Sequence, residues 1–214
     1  MNTTRFCLVR HGETDWNVAR RLQGHTDIAL NARGRAQAMQ LAQALKKSSL
    51  QFDVLYTSDL QRAAHTANAI SECFNAPAIA NGELRERHLG ALQGLTIDEA
   101  PLAQPELWRA HTARELDHDM SGGESIYQFS QRIRNALEAL RLKHLGETLL
   151  LVSHGGALDM MYRIATHQAL GAERIAVVPN ASLSWISHDG QSWKLDCWAD
   201  TSHLDGPALD NLDL

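Results

Sequence analysis

The stretch Arg5-Phe6-Cys7-Leu8-Val9-Arg10-His11-Gly12-Glu13-Thr14 decides how this chain is read. Its first half is a brief apolar run with β-branched and aromatic members, which predicts a strand over 5–9. Its second half sets a guanidinium, an imidazole and a flexible glycine at that strand's carboxyl end. In open α/β sheets ligands bind outside the carboxyl ends of strands. One Arg-His-Gly alone fits a surface turn equally well, so the reading rests on whether the chain repeats the pattern.

It does so twice. Phe52-Asp53-Val54-Leu55-Tyr56-Thr57-Ser58 reads as a second strand, with Arg62 close behind. Glu147-Thr148-Leu149-Leu150-Leu151-Val152-Ser153 is a continuous apolar run, as expected of a strand buried on both faces, and it ends in His154-Gly155-Gly156.

Helical patterns fill the intervals. A short helix is expected over 15–21, its first amides turned toward His11 and favourable to an anion. Asn31 is a plausible N-cap for a second helix with Met39, Ala42 and Leu45 at helical spacing. Asp59 would cap a third, striped by Leu60, Ala63, Ala64, Ala67 and Ile70. A short strand at 78–80 leads to Leu84-Arg85-Glu86. A long helix over 124–144 presents Ile126, Phe129, Ile133, Leu137 and Leu140 on one face, and Gly146 stops it. Another opens at Gly155 and runs through Met160, Met161 and Ile164. Strands over 182–186 and 192–195 pair as a hairpin across Asp189-Gly190.

This alternation implies a single α/β domain over 1–214, a three-layer α/β/α sandwich around a mostly parallel sheet. Residues 95–123 are the irregular part, with Pro101, Pro105, the isolated Trp108 and a charged run from Arg109 to Asp119. They are read as a lid or rim insertion of one or two short helices.

With 214 residues, 44% apolar and 21% charged, the chain suits one sizeable soluble core. A formal charge of -5 gives no support to a nucleic-acid or anionic-membrane partner. Cys7, Cys73 and Cys197 are scattered and odd in number, against a disulfide framework or structural zinc and for a reducing compartment. No apolar run approaches the ~20 residues of a membrane span. Met1 to Arg5 lead straight into a strand without a secretory apolar region, so the cytoplasm is the expected location.

If the sheet is mainly parallel, three strand ends share one edge, and His11, His154, Arg10 and Arg62 converge there. Two guanidiniums and two imidazoles suit a tetrahedral dianion, because the guanidinium fork matches phosphate oxygens. No carboxylate cluster or His-Glu-x-x-His spacing suggests a metal, so Arg10, Arg62 and His154 would stabilise the equatorial oxygens. Neighbouring cations disfavour imidazolium, leaving His11 a neutral nucleophile that forms a phosphohistidine for water to resolve. Glu86 is the candidate acid for the leaving alkoxide, since a bound phosphate and partial burial favour its protonated form.

The run Arg10-His11-Gly12-Glu13-Thr14-Asp15-Trp16-Asn17 resembles the signature of the histidine phosphatase superfamily, in its phosphoglycerate mutase-like branch. The resemblance continues through Arg21 to Asp27, Thr57 to Ala63, Leu84-Arg85-Glu86 with Gly90, Gly123-Glu124-Ser125 and Val152 to Gly155, covering nearly the whole chain. It implies His11 as phospho-acceptor, Arg10, Arg62 and His154 as phosphate ligands, and Glu86 as proton donor. Substrate-binding candidates are Asn17, Gln23, Gly24, Arg85 and Gly155. Neither a metal nor another cofactor is called for, and the expected partner is a small phosphorylated metabolite. Thr201 to Asp205 resembles the tail of bacterial phosphatases of this kind, and the C-terminal hairpin and tail are candidates for a homodimer contact.

Residues 86–94 closely resemble cofactor-dependent phosphoglycerate mutases. Those enzymes carry a longer insertion with an adjacent arginine pair, whereas this chain has only Trp108-Arg109, and they usually have Asn where Gly156 stands. A shorter rim keeps water from a phosphoenzyme less well. The expectation is therefore a phosphoric monoester hydrolase of the histidine phosphatase type, with a mutase as the same-class alternative and a non-catalytic phospholigand-binding module as the different-class one. Arg20, Arg21, Arg33, His111, His118 and His203 are read as surface residues; Cys7, Met160, Met161 and Trp185 are read as core.

Overall fold

In the computed structural model, which describes residues 3–210, the order is β1 (Thr4–Arg10), α1 (Asp15–Val18), α2 (Ala32–Lys47), β2 (Val54–Thr57), α3 (Gln61–Phe74) and β3 (Ala78–Ala80). Then come α4 (Ala100–Ala103), α5 (Pro105–Thr112), α6 (Ile126–Lys143), β4 (Thr148–Ser153), α7 (Gly155–Thr166), β5 (Leu183–His188) and β6 (Trp193–Asp200). The described strands form one sheet in the order β3-β2-β4-β1-β5-β6. The first four are parallel neighbours, and β5 and β6 extend the sheet antiparallel. Arg10 pairs with Ser153 and Thr57 with Val152, so all three predicted strand ends leave the sheet on one edge.

Side chains along β1 alternate between the two faces, as a strand requires. Phe6 and Leu8 meet α6 and α7 through Phe129, Ile133, Leu158 and Met161. Cys7 and Val9 meet α2 and α3 through Leu41, Leu45, Ala63 and Ile70. A third, smaller cluster joins the middle segment to the site loops: Leu107, Met120 and Ala100 pack on Leu22, Leu89 and Leu92. The three-layer sandwich expected from the sequence is thus present, with the middle segment folded over the loops beyond the sheet edge.

Local differences have physical causes. The helix expected over 15–21 stops at Val18, because Arg20 takes the left-handed conformation at φ 52° and Arg21 turns away to bridge Thr96. Asp59 does not cap α3; it is drawn into an ion pair with Arg85 at 2.5 Å, and the cap position falls to Leu60. Met39 is 58% exposed, the buried face of α2 running instead through Ala38, Leu41, Ala42 and Leu45. The long helix begins two residues later than read, with Ser125 and Gln128 forming a capping box. Cys7, Met160 and Met161 are buried as expected, while Trp185 is half-buried against the α2–α3 face. No described helix is long and apolar enough to cross a membrane.

Candidate active site

Backbone bonds carry the edge of the sheet into the site. The amide of His11 donates to Ser153 O (3.0 Å), prolonging the β1–β4 ladder by one residue past Arg10. Gly12 then passes α2 so closely that a Cβ there would lie 2.4 Å from Gly34 O, which is backbone and cannot yield. Glycine is needed here for close approach. The amide of Gly12 donates to Thr66 Oγ1 on α3 (3.0 Å), and Asn180 Nδ2, just ahead of β5, donates to His11 O (3.1 Å).

The rings of His11 and His154 are 5.2 Å apart and both are buried. His11 Nδ1 lies 2.7 Å from Gly12 O, which assigns the proton to Nδ1 and leaves a lone pair on Nε2. Burial, then Arg62 and Arg10, hold His11 well below the usual histidine value of 6.5; Gly12 O opposes this weakly. The cations act as the sequence suggested, but desolvation is the larger cause. His154 is depressed in the same direction by burial, Arg62 and His11.

Arg62 Nε donates to His154 Nδ1 (3.1 Å), which places the His154 proton on Nε2, 2.8 Å from Ser58 Oγ. Arg62 Nη1 and Nη2 donate to Thr26 O (2.9 Å) and Gly24 O (2.7 Å), locking the 22–27 loop onto α3. Arg10, only 2% exposed, donates through Nη1 to Val178 O at 2.5 Å and to Leu209 O at 3.5 Å. The C-terminal tail therefore reaches the same sheet edge.

Glu86 arrives from the other side. Its Oε2 accepts from the amide of Gly156 at the start of α7 (2.8 Å), and Oε1 accepts from the amide of Arg87 (2.8 Å). Asn17 is buried nearby, its Oδ1 taking the Thr14 amide (3.0 Å) in a capping box that fixes the side-chain amide. Gln23 is buried against Thr14 Oγ1 (3.2 Å). Gly155 is the first residue of α7, directly after His154.

Arg85 is the candidate that the structure turns outward. Its guanidinium forms a two-pronged pair with Asp59 and lines an open hollow with His25, His88 and Arg132. Arg109, the rim arginine, is 67% exposed at its side chain and paired with Glu115 at 2.7 Å. His111, read as a surface residue, is instead 1% exposed, since α5 tucks its inner face against Leu22 and Leu89. Arg21 is held to Glu99 at 3.0 Å, Arg20 and Arg33 are exposed, and His203 is half-buried on Ala181 O. Ser58, Thr66 and Asn180 were not singled out by sequence reasoning. Ser58 and Asn180 are lone polar residues near element ends, where local pattern reads only a turn, and Thr66 is a lone threonine inside α3, where the pattern reads only helix. Among the described residues no group of three or more His, Cys, Asp or Glu is arranged to hold a metal ion.

With this geometry in place, the profile of the histidine phosphatase superfamily (branch 1) matches residues 6–201. The chain belongs to the histidine phosphatase superfamily. Within it, the chain is 41% identical to the metal-independent phosphoserine phosphatase of Arabidopsis thaliana over 94% of this chain and 83% of that one. It is 38% identical to a probable phosphoglycerate mutase, GpmB, of Serratia proteamaculans, over 96% and 97% of the two chains. Among solved structures, a mycobacterial glucosyl-3-phosphoglycerate phosphatase superposes with a TM-score of 0.81 at 30% identity, covering 92% and 99%. The fold and the order of the site motifs are those of a histidine phosphatase, and the chain is an enzyme of that kind.

Proposed function

We propose that this histidine phosphatase is a metal-independent phosphomonoesterase acting on a small phosphorylated metabolite through phospho-His11. The observation that carries the reading is the buried, neutral His11 ring, with Nδ1 tied to Gly12 O, the His154 ring 5.2 Å away and the Arg62 and Arg10 guanidiniums close enough to depress its protonation. Nε2 attacks phosphorus in line. The N–P bond forms as the ester O–P bond breaks, and the guanidiniums hold the charge on the equatorial oxygens. The departing alkoxide takes a proton from Glu86. Water then attacks the phosphohistidine, Glu86 takes back the proton, the N–P bond breaks, and inorganic phosphate leaves.

Hydrolysis rather than mutation is supported by two features of this chain. Arg109 faces solvent and Glu115 instead of the pocket. Position 156 has no side chain, and the Glu86 carboxylate lies where a Cβ there would stand. The relatives named for phosphoserine and for glucosyl-3-phosphoglycerate fit a substrate that is a small phosphorylated acid or its derivative. A mutase reading is favoured by the similarity to GpmB. Incubation with 3-phosphoglycerate separates the two: phosphate release with no 2-phosphoglycerate is expected, and isomerisation without net phosphate would overturn the proposal.

A further inference from the structure

Glu86 lies in an irregular segment, between a single 3-10 turn at Gly82–Leu84 and another at Gly90–Leu92. Such a segment has no ladder of its own to hold an acid to within a few tenths of an ångström. Most of the bonds on its backbone come from Arg132 of α6 and from Glu124, two residues ahead of that helix. Arg132 donates through Nη1 to Glu83 O (2.8 Å) and Arg85 O (3.0 Å), and through Nη2 to Glu86 O (3.0 Å).

The same guanidinium grips Glu124 on both carboxylate oxygens, Nε to Oε1 at 2.7 Å and Nη2 to Oε2 at 2.8 Å. Glu124 in turn takes the His88 amide on Oε2 (2.9 Å) and Arg87 Nε on its carbonyl (2.8 Å), and its own amide donates to His88 O (2.7 Å). Every residue from 85 to 88 is thereby tied to one ion pair. His25 Nε2 also donates to Glu86 O (2.7 Å). Neither Arg132 nor Glu124 reaches the carboxylate that would give the proton.

We propose that Arg132, braced by Glu124, is a positioning residue that sets Glu86 for proton delivery to the leaving group. This rests on Glu86 being the acid. An arginine is required because three carbonyls and a carboxylate are reached by one planar fork; a lysine ammonium has three donors on a single nitrogen and cannot span them. Removing the fork lets the 83–88 segment relax. A shift of about 1 Å at a catalytic group costs on the order of 10²-fold in rate.

The test compares two leaving groups. p-Nitrophenyl phosphate releases a stable phenolate that departs without a proton, whereas an alkyl phosphate requires the acid. The alkyl ester is the one turned over fastest by the wild type in a panel of phosphorylated metabolites. Arg132→Gln and Arg132→Lys should each lower kcat/KM, which reports the steps up to departure of the leaving group and not the later hydrolysis common to both esters, by about 10²-fold on the alkyl ester while changing kcat/KM on the nitrophenyl ester less than threefold. Glu124→Gln should act in the same direction and less strongly. Arg134→Gln, an exposed arginine on the same helix, should change neither.

Glu86→Gln is run alongside. If it too slows only the alkyl ester, the acid assignment stands, and equal losses on both esters, or none, in the Arg132 variants overturn the positioning role. If Glu86→Gln slows both esters alike, the acid assignment itself is wrong and the inference falls with it. Because Arg132→Gln loses an ion pair, thermal unfolding and competitive inhibition by inorganic phosphate are measured on each variant. A variant that still binds phosphate normally but loses alkyl turnover supports the proposal, and full recovery of alkyl turnover by Arg132→Lys contradicts it.

Discussion

Gly156→Ala tests the placement of Glu86 with one methyl group. A Cβ built on Gly156 falls 2.4 Å from Glu86 Oε1 and 3.1 Å from its Cδ, whereas ordinary contact begins at 3.4 Å. The carboxylate must therefore retreat by the difference between 3.4 and 2.4, about 1 Å, and its bond from the Gly156 amide (2.8 Å) lengthens. Displacement of a catalytic group by about that much costs on the order of 10²-fold, or close to 3 kcal/mol of transition-state stabilisation. Stability should move the other way, since alanine is favoured over glycine in a helix by up to about 1 kcal/mol, and the obstructing atoms belong to a side chain that can swing. The expected result is a folded enzyme with an equal or higher Tm and a kcat/KM on alkyl phosphates lower by about 10²-fold, with kcat/KM on p-nitrophenyl phosphate little affected. Wild-type kcat/KM on alkyl esters would show that the position of Glu86 is not limiting, and a lowered Tm with both esters impaired would show that Gly156 serves the helix rather than the acid.

Other outcomes follow from the buried histidines and the donor set. His111 is buried without a partner on either ring nitrogen, and burial beside Arg87 and Arg114 lowers it from 6.5 to about 3. In the unfolded chain it takes up a proton below pH 6.5, so its titration subtracts stability as pH falls through that value and contributes nothing above it. His111→Phe should therefore be nearly neutral at pH 8 and stabilise by about 2 kcal/mol at pH 5 in urea unfolding; a constant offset at both values would contradict this. His11 and His154 are depressed in the same sense; an NMR titration of the folded enzyme should accordingly show no protonation of the His11 ring near pH 6.5, and a His11 ring signal titrating there would refute the neutral-ring assignment. Prolonged chelator treatment should leave turnover within twofold of the untreated enzyme, and a loss restored by a divalent cation would contradict the metal-independent mechanism.

The sheet edge was legible because its information is local. Each of three apolar runs announces a strand, and each carries its cation or imidazole at the next one to four residues. A parallel sheet then does the gathering of His11, His154, Arg10 and Arg62 without any further specification. What local pattern could not supply was pairing across the chain. Asp59 looks like a helix cap until Arg85, 26 residues later, claims its carboxylate. His111 looks like a surface residue on a charged segment until Leu22 and Leu89 are found against the same helix. Met39 sits at helical spacing with Ala42 and Leu45, yet the buried arc of α2 extends from them toward Ala38 and Leu41 and leaves Met39 outside. Arg132 and Asn180 act through backbone carbonyls far away in sequence, and carbonyls carry no sequence signal at all.

The account depends above all on His11 taking the phosphoryl group. Rapid acid-free quenching during turnover of a radiolabelled phosphomonoester, followed by peptide mapping, should trap label on the peptide containing His11, stable to alkali and lost in acid, and absent from His11→Ala, which should not turn over. Product formed in a single turnover with no label on His11, or His11→Ala turning over at the wild-type rate, would contradict it.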